Sequence, residues 1–368
     1  YIYPFVSRNG EYSAFTYSNG IFNGADILWE TSPRLITQVE LLMGYVRFKV
    51  AKDPNDATKF REGNAVIAVY DNNRNILWSW HIWITDTPQE IPYTENETEI
   101  VILDRNLGAT AARWDGNETS SGNVLETYGL YYQWGRKDPI MGPPTIGYGT
   151  DGSTGSTVAS SGWWKKDNDG TWSYRLTIDV KGAASIPDVV KDPTAFYKST
   201  TANGQKNSQW FPESFADGYT NVALWGYAVA DYSIEGQTFS KTMHDPCPTG
   251  YRTPFHFSWR YNSSEKYAEG DITESANGTQ LTNAETGFDS QGIVTNKAHF
   301  EKMWFPLVGY RNPTTGACTN VGIEGRMNTG MPMGQYDTRS FWYDRSKTLQ
   351  RHGGDASAYG KMVRCMKE

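Results

Sequence analysis

The longest apolar run in this chain, Ile76–Ile84 (ILWSWHIWI), is nine residues long and carries Ser79 and His81 in its interior. A helix crossing a bilayer needs about 20 consecutive apolar residues, so this run cannot make one. The other apolar runs are shorter still and are separated by turn-forming residues. With 36 Gly and 17 Pro interleaved among 23 Tyr and 14 Trp, that punctuation restricts the chain to short strands joined by turns and long ordered loops.

Residues 1–95 read as a small β-sandwich. ADILWE, QVELLMG, YVRFKVA, GNAVIAVYD and NILWSWHIWITD are β-branched or aromatic runs between turn signals. YDNNRNI joins the last two as a hairpin, because Asn and Asp tolerate the left-handed backbone of tight turns. TDTPQEIPYTENETE, Thr85–Glu99, is acidic, proline-bearing and aperiodic, which predicts a connector. From residue 96 to Glu368, short apolar runs alternate with Gly-, Ser- and Thr-rich insertions such as GYGTDGSTGSTVASSGWW, STTANGQKNSQW and NGTQLTNAETGFDSQG. NVLETYGLYYQWGR, Asn123–Arg136, has apolar positions near helical spacing, and NKAHFEKMWF adds a further helical turn or two. The class expected is α+β.

A net charge of −7 and a pI near 5.4, with Lys and Arg scattered, give no electrostatic footprint for nucleic acid. The chain opens at Tyr1 with neither Met nor a cationic, apolar leader, which reads as a mature or trimmed form. GYGTDG, Gly147–Gly152, matches G-x-G-x-x-G by letter. It lacks the preceding strand and following helix of a dinucleotide loop, so it reads as a plain loop. There is no H-E-x-x-H, P-loop or G-x-S-x-G, and the five histidines, His81, His244, His256, His299 and His352, form no helical ligand pair. His352–Gly354 reads as a turn. Asp104, Asp138 and Asp344 each adjoin a basic or aromatic residue and read as ion-pair carboxylates rather than a glycosidase pair. DNDGTW, Asp167–Trp172, lacks the ligand spacing of a calcium loop and reads as a turn. No catalytic residue, metal site or cofactor is expected.

Two features stay open at this level. HDPCPTGYRTP, His244–Pro254, clamps Cys247 between two prolines, as a catalytic thiol, a metal ligand or half of a disulfide would be. With Cys318 and Cys365 there are three cysteines and no C-x-x-C, so a pair plus one leftover is the simplest arithmetic. SSGWWKKDNDGTW places Trp163, Trp164 and Trp172 among polar residues, where flat rings can stack on sugar faces while amides and carboxylates bond hydroxyls.

VILDRNLGA, YGLYYQWGRKDP, DPCPTGYRTP, FPLVGYRN, SFWYD and GKMVRCMKE follow one another in the order of the motifs of the Fibrobacter succinogenes major paralogous domain family, which the chain resembles over residues 98–368. GNAVIAVYDNNRNILWSWHIWITD is also similar to the segment that precedes this domain in that family. The resemblance implies a C-type-lectin-like fold, so the expected architecture is a β-sandwich over 1–95 and a loop-rich, mixed α/β lectin-like domain over 96–368. It implies that Cys247 and Cys365 are bonded and Cys318 is free. It also implies a surface or fimbria-associated protein of Bacteroidales, extracellular or outer-membrane associated, with any lipid anchor lost from the N-terminal side. The partners implied are a glycan, a host or bacterial surface protein, or other fimbrial subunits. The calcium-lectin tripeptides Glu-Pro-Asn and Gln-Pro-Asp are absent, and Trp342-Tyr343-Asp344 stands where Trp-Asn-Asp would, so calcium is not expected. SFWYD departs from the family's Tyr-Trp-Ser-Ser at the expected binding surface. The binding residues expected are Trp163, Trp164, Trp172, Arg326, Trp342, Tyr343 and Asp344, in an adhesin or fimbrial tip component. A purely structural surface-assembly subunit is the alternative, and a glycan-processing enzyme stands third.

Overall fold

The computed structural model describes residues 22–42, 45–95, 98–112, 125–143, 162–167, 169–199, 209–211, 222–226, 240–255, 304–333, 337–344 and 348–368, with the strand segments 5–8, 11–14, 272–275, 278–281, 287–288 and 292–294. The structure is about 45% strand and 5% helical. This corrects the expected α+β class: the protein is mainly β, with several sheets, rather than a sandwich followed by a mixed α/β domain. The one α-helix lying wholly within the described residues is the six-residue Ile186–Lys191, capped by the Ser185 hydroxyl, which accepts from the Asp188 N–H.

The helix expected over Asn123–Arg136 fails at Gly129. Only Leu125 and Glu126 are helical among its described residues. Gly129 turns the chain at φ +74°, and a Cβ there would lie 2.7 Å from the Leu107 carbonyl oxygen, so glycine alone fits. Tyr131–Gln133 then runs as a strand against Gly360–Met362. Of NKAHFEKMWF, Trp304–Pro306 is strand; its earlier part, the GYGTDG loop and most of the three long insertions lie outside the described residues. Two further expectations change. The connector contains the strand Glu90–Glu95, paired with Thr98–Leu103 at the edge of a four-stranded sheet, where Pro92 is tolerated. His352–Gly354 lies inside the strand Thr348–Ala356.

The expected N-terminal runs are all strands. Gly24–Glu30, Gly63–Tyr70 and Ile76–Ile84 form neighbouring strands of a five-stranded sheet, and the hairpin of Ile36–Leu42 and Tyr45–Val50 covers one face. Gly63–Tyr70 is buried along nearly its whole length, and its near-continuous apolar sequence is that of a strand covered on both sides. Its second face packs on residues from beyond position 96: Trp29 and Val66 share a cluster with Leu103, Leu107, Tyr132, Trp134, Cys247 and Cys365. The sheet itself is completed by Trp163–Lys166 and Trp172–Arg175. The chain therefore crosses residue 96 with a shared sheet and a shared core.

Beyond that residue, the segments quoted above converge. Leu103 and Leu107 donate to the carbonyls of Cys365 and Val363, at 3.0 and 2.8 Å. Met366–Lys367 lies between Thr98–Leu103 and Tyr251–Arg252. The Cys247–Cys365 disulfide, spanning 118 residues, ties this junction, and Cys318 is a buried free thiol. Asp245 holds the proline-clamped loop in shape: one carboxylate oxygen accepts from Cys247 N at 2.9 Å and the other from Thr253 N and Oγ1, at 2.9 and 3.0 Å. In such a loop-rich unit many carbonyls lack ladder partners, and buried guanidiniums supply the donors. Arg136 reaches the carbonyls of Ala195 and Pro193 at 2.8 and 3.1 Å, and Arg311 bonds those of Met141 and Gly316.

Candidate functional site

Strands Trp163–Lys166 and Trp172–Arg175 form a hairpin at the edge of the five-stranded sheet, and Asp167 and Asp169–Thr171 lie in the turn between them. Asp167 N bonds Thr171 O at 2.8 Å, Gly170 N bonds Asp167 O at 2.9 Å, and Gly170 takes φ +87°. Strand alternation then separates the tryptophans. Trp163 points inward: it is 3% exposed, meets Trp29 edge-on at 6.1 Å and donates its indole N–H to Thr177 O. Trp163 is therefore a core residue.

Trp164 lies on the opposite face, paired in register with Tyr174, their rings 5.3 Å apart and tilted by 53°. Tyr174 is 56% exposed, and Leu176 and Val180 are also exposed. The Tyr174 ring lies against Gly162: a Cβ there would sit 1.6 Å from the Tyr174 hydroxyl and would push that ring aside. Trp172, half-buried, packs against the cluster of Ile27, Leu35, Ile36 and Ala65. Charges rim the hairpin in pairs: Lys166 with Asp26 at 2.6 Å, Arg175 with Asp167 at 3.3 Å and Lys165 with Asp179 at 3.5 Å.

Arg326, Trp342, Tyr343 and Asp344 lie on a different sheet, in the paired strands Glu324–Met333 and Asp337–Asp344. Alternation divides them too. Tyr343 is fully buried beside Phe305 and Phe341, with its hydroxyl on Pro306 O at 2.9 Å. Arg326 faces the other way, opposite the half-buried Trp342 in the register, and Asp344 occupies the register position opposite Glu324. The Arg326 guanidinium lies over the rings of Tyr310 and Tyr359, at 4.3 and 5.3 Å, and bonds Glu324 at 2.8 Å and Asp355 at 2.5 Å. Burial pushes the Asp355 carboxyl up, but Lys361 and Arg326, with the Ser340 hydroxyl, hold it below its ordinary range. The group is a closed, charge-balanced stack.

The seven expected residues thus fall on two sheets, and on each sheet alternation sends one ring inward. Sequence reading passed over Tyr174, Tyr310, Tyr359 and Asp355. Tyr174 had a signal: in WSYR the residue two after Trp172 shares its face. Asp104 and Asp138 are buried ion-pair partners of Arg105 and Lys137, both at N···O distances of hydrogen bonds. Among the described residues, no group of three or more His, Cys, Asp or Glu is placed to hold a metal ion, and no helix is long and apolar enough to cross a membrane. Comparison of the chain with protein-family models, with curated proteins and with solved structures found no match.

Proposed function

We propose that this protein is an exported, surface-located adhesin or fimbrial component, and that it binds glycans through the aromatic face of the Trp163–Arg175 hairpin. One observation carries the reading: half-buried Trp164 and exposed Tyr174 form a ring pair on an ordered hairpin at the sheet edge, beside the Lys166–Asp26 ion pair. Rings held in this way lose little entropy on binding, and their apolar faces suit the C–H face of a pyranose while the rim bonds its hydroxyls. Export is supported by the Cys247–Cys365 disulfide, which persists in oxidising compartments, and a surface location by the family resemblance.

The test is a glycan array with wild-type protein and the Trp164→Ala/Tyr174→Ala variant, with Trp163→Ala as the stability control. Selective binding by the wild type is expected to disappear in the double variant at a stability cost of about 1–2 kcal/mol, below the cost of about 3–5 kcal/mol for Trp163→Ala. No binding by folded wild type, or undiminished binding by the double variant, refutes the reading. The second reading, a structural assembly subunit, draws on one feature: the nine-residue strand Ile76–Ile84 forms an edge of its sheet, where another chain can add a strand. Co-assembly with a partner subunit and an empty array would favour it.

A further inference from the structure

Strand Ile76–Ile84 turns Trp80, Ile82 and Ile84 toward the Ile36–Val50 hairpin and Ser79, His81 and Trp83 toward the second unit. The Asn64 amide nitrogen donates to Gly108 O at 2.8 Å, which fixes its oxygen as the atom facing His81 Nε2 at 2.9 Å. Nε2 therefore carries the hydrogen, and Nδ1 is left as a bare acceptor for the Tyr132 hydroxyl, also at 2.9 Å. The neutral ring is satisfied on both sides. A proton on Nδ1 would reverse this bond, making the Tyr132 oxygen the acceptor and taking from its hydroxyl hydrogen the acceptor it had, at a tyrosine that is fully buried.

Three residues before His81 and on the hairpin face of the strand, Trp78 meets His244 edge-on at 5.7 Å and carries the Lys137 ammonium over its ring at 4.3 Å. Lys137 is bonded to Asp138 at 2.7 Å and to Ser79 O at 3.0 Å, and Asp138 also accepts from Ser79 Oγ. The only carboxylate of that turn is thus committed, and a charged His244 would be a second cation beside one tryptophan. The remaining surroundings offer no counter-charge. Gly63–Tyr70 contributes the uncharged Asn64; Arg136 adds a cation on the turn; Asp86, Asp104 and Arg105 close on one another; Asp188 and Lys191 of the helix are exposed; and on the His244 loop Asp245 is engaged by Cys247 and Thr253, with Lys241 on backbone carbonyls.

We propose that this junction is an acid-operated latch: protonation of His81 and His244 releases the Ile76–Ile84 edge strand from both Gly63–Tyr70 and the disulfide-tied unit, while the Trp163–Lys166 strand keeps the rest of the sheet attached. Burial holds both imidazoles below their ordinary range, so the open state takes up protons that the closed state refuses. The latch is independent of any glycan site.

The test is hydrogen exchange read by mass spectrometry on the intact, oxidised chain from about pH 7 to about pH 4.5, normalised to intrinsic exchange rates. Protection over residues 76–84 is expected to fall about ten- to hundredfold per pH unit below about pH 6.5, one factor of ten for each histidine, while 163–166 and 360–367 stay protected. In the His81→Gln/His244→Phe variant, whose glutamine reproduces the donor and acceptor of the neutral ring, the pH dependence is expected to vanish. Protection at 76–84 that is flat with pH, that falls in step with every other segment, or that behaves identically in a folded variant overturns the proposal.

Discussion

Replacing Cys247 and Cys365 together by alanine removes a tie spanning 118 residues. In the loop-closure treatment, a loop of that size lowers the entropy of the unfolded chain enough to stabilise the fold by about 5 kcal/mol at 25 °C. Both sulfurs are buried, so truncation adds about 1 kcal/mol per site for lost packing. The expected loss is about 5–7 kcal/mol, against a total of about 5–15 kcal/mol for a typical folded protein. Urea unfolding of oxidised wild type, reduced wild type and the double variant measures it, and the reduced wild type isolates the chain-entropy part because its side chains are unchanged. The C-terminal strand gives a second readout, since Met366 pairs with Ile102 and the Leu103 N–H bonds Cys365 O; these amides should lose protection first. A loss below about 2 kcal/mol in both reduced and double-variant protein would refute the reasoning, because the unfolded chain would then be confined by something other than this bond.

Gly309 takes φ +65°, and a Cβ there would lie 2.1 Å from Thr319 O, so Gly309→Ala is expected to cost more than about 2 kcal/mol; a neutral result in thermal melts would show that the backbone between Gly309 and Thr319 can rearrange. Global stability should fall on acidification. His81 and His244, held at about 3 and about 4 when folded, contribute stability that is intact above the unfolded value of about 6.5 and is lost as pH falls toward the folded values. Asp245 acts in the opposite sense: burial pushes its carboxyl up to about 6, so it favours the fold at low pH and costs stability as pH rises through that value. Two protons against one leave a net fall of about 1.4 kcal/mol per pH unit between about pH 6 and about pH 4, and Asp245→Asn should steepen it to about 2.7. Urea titrations at three pH values check the slope, and stability that rises on acidification would reverse the assignment.

What was legible in the sequence was strand content wherever a run was bounded by turn residues. ADILWE, GNAVIAVYD and NILWSWHIWITD became Gly24–Glu30, Gly63–Tyr70 and Ile76–Ile84 because β-branched and aromatic side chains between Asn, Asp and Gly leave the backbone few alternatives. The helix at Asn123–Arg136 was misread because apolar spacing near 3.6 also arises where a strand follows a turn, and one glycine at φ +74° decides between them. Pro92 and the acidic residues around it suggested a connector, yet an edge strand accepts both. The boundary near residue 96 marks a change in composition. Packing does not stop there, since Trp29 and Val66 complete a cluster whose other members lie far along the chain.

The candidate site was half legible for a related reason. WWKK and FWYD each put adjacent aromatic residues on a strand, and a two-residue period sends neighbours to opposite faces. The residue type marks a ring; only the partner strand decides which ring is enclosed. Trp29 waits beneath Trp163, and Phe305 and Phe341 flank Tyr343, so those two rings are committed to the interior. Trp164 instead finds Tyr174, which is itself exposed because Trp172–Arg175 is the last strand of its sheet. A hairpin from beyond residue 96 therefore does two jobs with one alternation. Its inner ring cements the N-terminal sheet to the disulfide-tied unit, and its outer rings, half-buried Trp164 and exposed Tyr174, are left at the sheet edge.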